Sequence, residues 1–341
     1  VRRLSTLFVS LAAVLFLGAG IAQYDIRPFE DDPLSIQAAF GAELAVARLE
    51  AAQALIDEGA DADDVEEAVE DLDLELVRFA AALAGENDAL LEEAREAFTA
   101  VEESDYSAEA IQEALAVARE VRDTVSTPRL EDPAVAGAVL SLMLISENGA
   151  AEGWEEAAEG EIAAFTVAWA LMPRAWEIWD GIKPLANENQ VFEIEDQLGE
   201  LHALFEGPLP PDMAGADPEE GEGAAVHITG FLEDVTGAWL FPDRDLGGLL
   251  GNTRDVATEG CAAYGAGDTL RGDARMAWVY FAFDEYLEGT LGLFAPEATE
   301  EIDELLGELV PRSADLGDAQ AAEACESLVE ALTTAGAPFG L

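Results

Sequence analysis

The phrase Glu177-Ile178-Trp179-Asp180-Gly181 returns as Glu285-Tyr286-Leu287-Glu288-Gly289, and Leu198-Gly199-Glu200-Leu201 returns as Leu306-Gly307-Glu308-Leu309. One offset of 108 residues aligns both pairs without a gap and also matches Leu185 with Leu293. Self-similarity at a fixed spacing marks a duplicated supersecondary unit, so the chain is expected to fold from repeated pieces. A fainter echo joins residues 108–114 to residues 319–325, both rich in Ala and Glu. Three related units follow from this, the first the most diverged.

The periodicity throughout is helical. Ala45, Leu49, Ala52 and Ile56 form one apolar stripe that Gly59 stops, and the run Ala60-Asp61-Ala62-Asp63-Asp64 offers an N-cap for the next helix. That helix carries Val65, Val69, Leu72, Leu76 and Phe79 to a stop near Gly85. Asn87 or Asp88 caps a third helix with Leu90, Leu91, Ala94 and Phe98 apolar, and Ser107 starts a fourth with Ile111, Leu115, Ala118 and Val121. Pro128 and Pro133 mark a linker over 127–133. The second unit, 134–206, opens with a helix to about 147 and a break at Asn148-Gly149. An apolar-rich stretch from Trp154 towards Ala186 follows, which Pro173 should kink or divide, with Trp169, Trp176 and Trp179 read as core. The next helix ends with Leu201 and Phe205, and the acidic, Gly- and Pro-rich run 207–223 reads as a flexible linker. In the third unit, 224–341, the expected elements are a helix holding Phe231 and Trp239 and another over 256–264. A turn at 265–268, a long helix from Asp273 to Leu287, a helix opened by Pro296 and a last one capped by Asp318 complete it. Period-two alternation is nowhere sustained. The fold class expected is therefore all-α: repeated helical hairpins forming bundles, with the first unit over 34–126.

The net charge is −56, from 72 acidic and 16 basic residues. Such a field repels phosphate backbones and anionic membrane surfaces and attracts cations, so no nucleic-acid partner is expected. Lys183 is the single lysine. Arg2 and Arg3 precede an apolar run from Leu7 to Gly18, and Gly20-Ile21-Ala22 followed by Gln23 has the form of a cleavage site. Residues 1–22 thus read as a secretory signal peptide, and the expectation is a protein exported to the periplasm or cell exterior and not integral to the membrane. Cys261 and Cys325 are the only cysteines. A disulfide between two helices of the last unit and a pair of buried free thiols are both open readings.

Within the repeat, Glu177 with Asp180 and Glu285 with Glu288 each place two carboxylates three residues apart, on one face if the segment is helical. Oxygen-only sites suit hard cations such as Ca²⁺, Mg²⁺ and Fe³⁺. The four acids are the candidate metal ligands; the competing reading is a solvated face of an acidic protein, kept at equal spacing by duplication. His202 and His227 are the only nitrogen ligands on offer. Gly181 and Gly289, one residue past each pair, suggest close packing or a helix end. The Arg271-Gly272-Asp273 tripeptide is explained by Asp273 opening a helix. No nucleophile with a base, phosphate loop or cysteine metal cluster is present, so an enzyme is not expected.

The turn Tyr264-Gly265-Ala266-Gly267-Asp268, followed by Ala274, Ala277, Tyr280 and Glu285-Tyr286-Leu287-Glu288, resembles the soluble extracytoplasmic helical domain of high-affinity, oxidase-dependent iron permeases. Glu301, Ile302, Leu306 and Leu309 fit the helix that follows in that domain. The resemblance covers mainly residues 260–334 and does not extend to the permease's membrane part. It implies an iron-handling accessory of a membrane uptake system, and carries over Glu285 and Glu288 as acidic ligands. The alternative is a metal-free structural or protein-interaction module of the cell envelope.

Overall fold

A computed structural model describes residues 26–213, 216–310 and 316–339. The fold is all-α: the described residues contain no strand, only an isolated parallel bridge between Ile26 and Ala238. The signal segment 1–22 lies outside the described residues. Instead of three units there are two compact ones, Ile26–Leu240 and a second beginning at Phe241.

The N-terminal unit is built round helix α1, Pro33–Glu58. Seventeen of its 26 residues are buried, so the single stripe read from the sequence is too narrow. A helix apolar all round is a core helix. Around it pack α2 (Ala62–Val69), α3 (Leu72–Leu83), α5 (Ala108–Arg129), α6 (Pro133–Ile145) and α8 (Ile162–Ile182), while α4 (Asp88–Glu103) lies on α5. Local chemistry sets the boundaries. Gly59 ends α1 at φ 74°, a conformation that disfavours a side chain. Asp61 caps α2 in a reciprocal capping box, and Asn87 and Ser107 accept the backbone N–H groups of Leu90 and Ala110 to open α4 and α5.

Buried charge ties these helices together. Glu43 of α1 accepts two hydrogen bonds from the Arg174 guanidinium of α8, Nε to Oε2 at 3.0 Å and Nη2 to Oε1 at 2.8 Å, and a third from the Ser126 hydroxyl of α5. Beside it, Arg78 Nη1 reaches both Glu75 oxygens at 2.9 Å, and Arg48 Nη2 reaches Asp71 and Asn148. Gly41 makes room for this second network, since a Cβ there would stand 2.7 Å from Arg78 Cβ.

Several boundaries differ from the sequence reading: the single helix expected to carry Val65 through Phe79 is divided into α2 and α3 between Val69 and Leu72. Pro128 lies inside α5 and Pro173 inside α8, and neither divides its helix. Both prolines are exposed, so the carbonyl each leaves unbonded can be hydrated. The 127–133 linker shrinks to the residues between Arg129 and Pro133. The break expected at Pro173 falls instead at Gly160, φ 106°, which separates α7 (Ala150–Glu159) from α8. The stretch Pro133–Glu159 is apolar enough to suggest a membrane span, but it is broken between Ile145 and Ala150, and 78% of its most apolar eighteen-residue window is buried in the core.

Helices α9 (Glu188–Ala203) and α10 (Glu220–Thr236) complete the unit. The 207–223 linker is partly pinned: the Pro208 carbonyl accepts from the Thr166 hydroxyl and the Asp217 carbonyl from Trp154 Nε1. α10 ends at Gly237, φ 69°, so Trp239 lies outside any helix. Of the three indoles read as core, Trp179 is fully buried, whereas Trp169 and Trp176 are half-buried.

The C-terminal unit comprises α11 (Leu246–Gly265), α12 (Thr269–Ala282), a π-helical turn (Phe283–Leu287), α13 (Glu288–Phe294), α14 (Pro296–Leu309) and α15 (Asp318–Gly336). α11 packs on α12 and α15, and α14 on α13 and α15. Cys261 of α11 and Cys325 of α15 form a disulfide spanning 64 residues. The first copy of the repeated phrase runs from α8 into α9, and the second from the π turn through α13 into α14. Gly181 has open space around its missing side chain and so serves no close packing.

Replacing Arg174 with Met leaves Glu43 buried without its cation, and is expected to destabilise the N-terminal unit by about 3 kcal/mol or more in urea. The double variant Glu43→Gln/Arg174→Met should recover most of that loss. In the C-terminal unit, reducing the disulfide frees a long loop in the unfolded chain. The expected cost is about 4 kcal/mol, read as a lower urea midpoint for that unit.

Candidate functional site

Glu177 and Asp180 stand on the exposed side of α8. Neither is an isolated anion. Glu177 Oε2 accepts from Arg174 Nη1 at 2.7 Å, so the guanidinium that neutralises Glu43 also holds Glu177. The Asp180 charge adds to that of Glu195 in raising Lys183 above the usual ammonium range, chiefly through the Lys183–Glu195 hydrogen bond. The same bond lowers Glu195 below the usual carboxylate range. The first copy's acids thus sit among its few cations.

Glu285 and Glu288 are half-buried and belong to the C-terminal unit. Their geometry differs because Glu285 falls in the π turn and Glu288 begins α13, its N–H bonding to the Phe283 carbonyl. A π turn closes over one more residue than an α turn, so the i, i+3 relation of Glu177 and Asp180 is not reproduced. The buried positions are spaced to suit it. Val279, Phe283, Leu287 and Leu291 are all buried and succeed one another in steps of four, spanning twelve residues, whereas three α-turns take up about eleven. The wider turn absorbs the extra residue. In α8 the positions matched by the 108-residue offset, Leu171, Ala175 and Trp179, are buried too, and there the helix stays regular.

The π turn also carries Tyr286, edge-on to Phe281 with ring centroids 5.8 Å apart. Burial pushes its phenol well above the ordinary range, and the charges of Glu285 and Asp243 add to this. Asp243 lies in the 3₁₀ turn Pro242–Asp245 packed against the π turn. Burial raises its carboxyl, and Arg244 opposes the shift.

The turn that carries the permease resemblance is used structurally. Tyr264 is buried and its hydroxyl donates to Asp273 Oδ1 at 2.8 Å. Gly267 takes φ 75°, and Asp268 accepts from the Arg271 N–H to open α12. α12 begins at Thr269, so Asp273 is not its first residue, as the sequence had suggested. Gly272 is required because a Cβ there would fall 2.4 Å from the Tyr264 ring. Of the histidines, His202 Nδ1 accepts from Trp176 Nε1 at 3.1 Å, and His227 is exposed and stacks on Phe231.

A feature missed in the sequence lies at the junction of α2, α7 and the start of α10. Glu67, Glu152, Glu155, Glu156 and Glu222 are half-buried there, with Glu159, Glu161 and Glu219 exposed around them. Burial raises Glu67, Glu152 and Glu156 each to about 7, and every neighbouring charge acting on them is another carboxylate. Glu161 also shares a hydrogen bond with Glu67. The Glu-rich run 152–161 was visible, but only the fold brings Glu67 and Glu222 to it. Among the described residues, no group of three or more His, Cys, Asp or Glu side chains is arranged to hold a metal ion.

Comparison of the chain with models of protein families, with characterised proteins and with solved structures finds no match in any of the three.

The three raised carboxyls bind protons more tightly folded, at about 7, than unfolded, at the ordinary 4.5. The folded state therefore takes up protons between those values, and stability falls as pH rises through the window. Thermal unfolding at low salt should give a higher Tm at pH 5.5 than at pH 8. Glu67→Gln/Glu156→Gln should raise the Tm at pH 8 and narrow the gap.

Proposed function

We propose that this chain is an exported, soluble, non-enzymatic helical protein that binds a hard cation as an accessory to a membrane uptake system. The resemblance of residues 260–334 makes iron the cation of choice. The observation carrying this reading is the placement of Glu285 and Glu288 at a π turn, beside Tyr286 and the turn holding Asp243. Irregular turns of this type recur at functional sites, and carboxylate and phenol oxygens are hard donors. Glu177 and Asp180 are the weaker pair, because both are exposed on a regular helix; Arg174 hydrogen-bonds Glu177, and Lys183 stands near Asp180.

That pairing supports a second reading, a metal-free structural or interaction module of the cell envelope whose acidity maintains solubility. Titration with Fe³⁺ and Ca²⁺, alongside metal analysis of the purified chain, separates the two. In the hard-cation reading, Glu285→Gln/Glu288→Gln loses about tenfold or more in affinity for one stoichiometric ion, while Glu177→Gln/Asp180→Asn loses little. Weak, salt-sensitive binding that is identical in all three proteins would establish the module instead.

A further inference from the structure

The inner face of α11 gathers three sulfur atoms from three helices. Cys261 lies on α11, Met276 on α12 and Cys325 on α15. Met276 and Cys325 are fully buried and Cys261 half-buried. Besides its bond to Cys261, Cys325 Sγ lies 3.9 Å from Met276 Sδ. The space for Met276 is built in: at Gly260, next to Cys261, a Cβ would stand 2.3 Å from the Met276 methyl. A side chain at 260 would displace that methyl from its present position.

This spacing matches a coordination polyhedron. Three sulfurs in a plane around one metal, with bonds of ~2.3 Å, stand ~4 Å from each other. Cys325 and Met276 already have that separation. Cys261, the least buried of the three, must swing away from its partner to complete the triangle, and its partial exposure gives an ion a route in. Two thiolates and a thioether are a soft donor set, which selects Cu(I) over the hard cations that carboxylates take.

We propose that reduction of the Cys261–Cys325 disulfide converts this staple into a buried three-sulfur site for Cu(I), with Cys261, Cys325 and Met276 as ligands. The reductant is a dithiol. It gives two electrons and two protons to the disulfide, yielding two protein thiols, and itself closes to a cyclic disulfide. Cu⁺ then displaces the two thiol protons, while the Met276 thioether binds unchanged. The site is independent of the carboxylates invoked for a hard cation.

The test is a competition for Cu(I) against a coloured chelator, bicinchoninate, under argon, using the full chain oxidised and after reduction and desalting. The reduced protein is expected to withdraw one Cu(I) per chain and the oxidised protein none. X-ray absorption should show three sulfur neighbours. Met276→Leu should retain two and lose about tenfold or more in affinity. Cys325→Ser should abolish stoichiometric uptake; because Cys325 is fully buried, Cys261→Ser, at a half-buried position, repeats the measurement with helicity checked by circular dichroism. The proposal is overturned if the reduced chain takes up no Cu(I). It is equally overturned if Met276→Leu binds as tightly as the parent or if Cys261→Ser still takes up one equivalent. Fe³⁺ titration of Met276→Leu should match the parent, so failure here leaves the hard-cation reading untouched.

Discussion

The contact on which the N-terminal unit depends is the fork of Arg174 on Glu43. A chain of net charge −56 has sixteen cations to place, and a surface spread would gain little from each, since exposed ion pairs are worth only about 0–1 kcal/mol. Arg78 and Arg174 are instead set against α1, the helix that is buried on all sides and itself carries Arg48. There a two-pronged guanidinium fixes both the spacing and the rotation of neighbouring helices, which lysine's single ammonium could not do. Charge inside such a core does not by itself add stability over a well-packed apolar pair. Its effect is to specify register: Glu43 meets Arg174 and Ser126 together in one alignment of α1, α5 and α8.

Much of the secondary structure was legible because it is written locally. Gly59, Asp61, Gly85, Asn87, Ser107, Gly267 and Pro296 stop or start helices by chemistry that acts within a few residues, and the structure uses each there. What depended on distant partners was not legible. Pro128 and Pro173 are strong local breakers, yet tertiary packing carries both helices through them because each proline faces solvent. The run 207–223 looks like a free linker until Thr166 and Trp154 are found holding its carbonyls. Two units replace three because α10, placed in the third unit by its position after that linker, packs on α6, α7 and α9. The candidate site was legible as residue pairs, but their unequal surroundings were not, since Arg174 lies outside the repeated phrase.

The repeat shows why equal sequence need not give equal geometry. The paired acids keep their spacing in both copies, but the backbone follows the apolar residues, which contribute far more free energy on burial. The second copy widens into a π turn over Phe283–Leu287. The first stays a regular helix through Glu177 and Asp180. The duplicated carboxylates are carried along by this difference, so two pairs with the same spacing on paper present different faces.

In a field this negative, attraction alone cannot define a cation site, because every surface carboxylate concentrates counter-ions. Selectivity has to come from donor type and from geometry held by packed elements. The two proposals for the C-terminal unit draw on different donors in separate places: oxygen at the π turn and sulfur beneath α11. The first copy's acids lie exposed on α8 with Arg174 and Lys183 beside them, whereas the second copy's are half-buried at an irregular turn. The physical asymmetry between the copies, more than their shared sequence, is what directs the search for a ligand to the second.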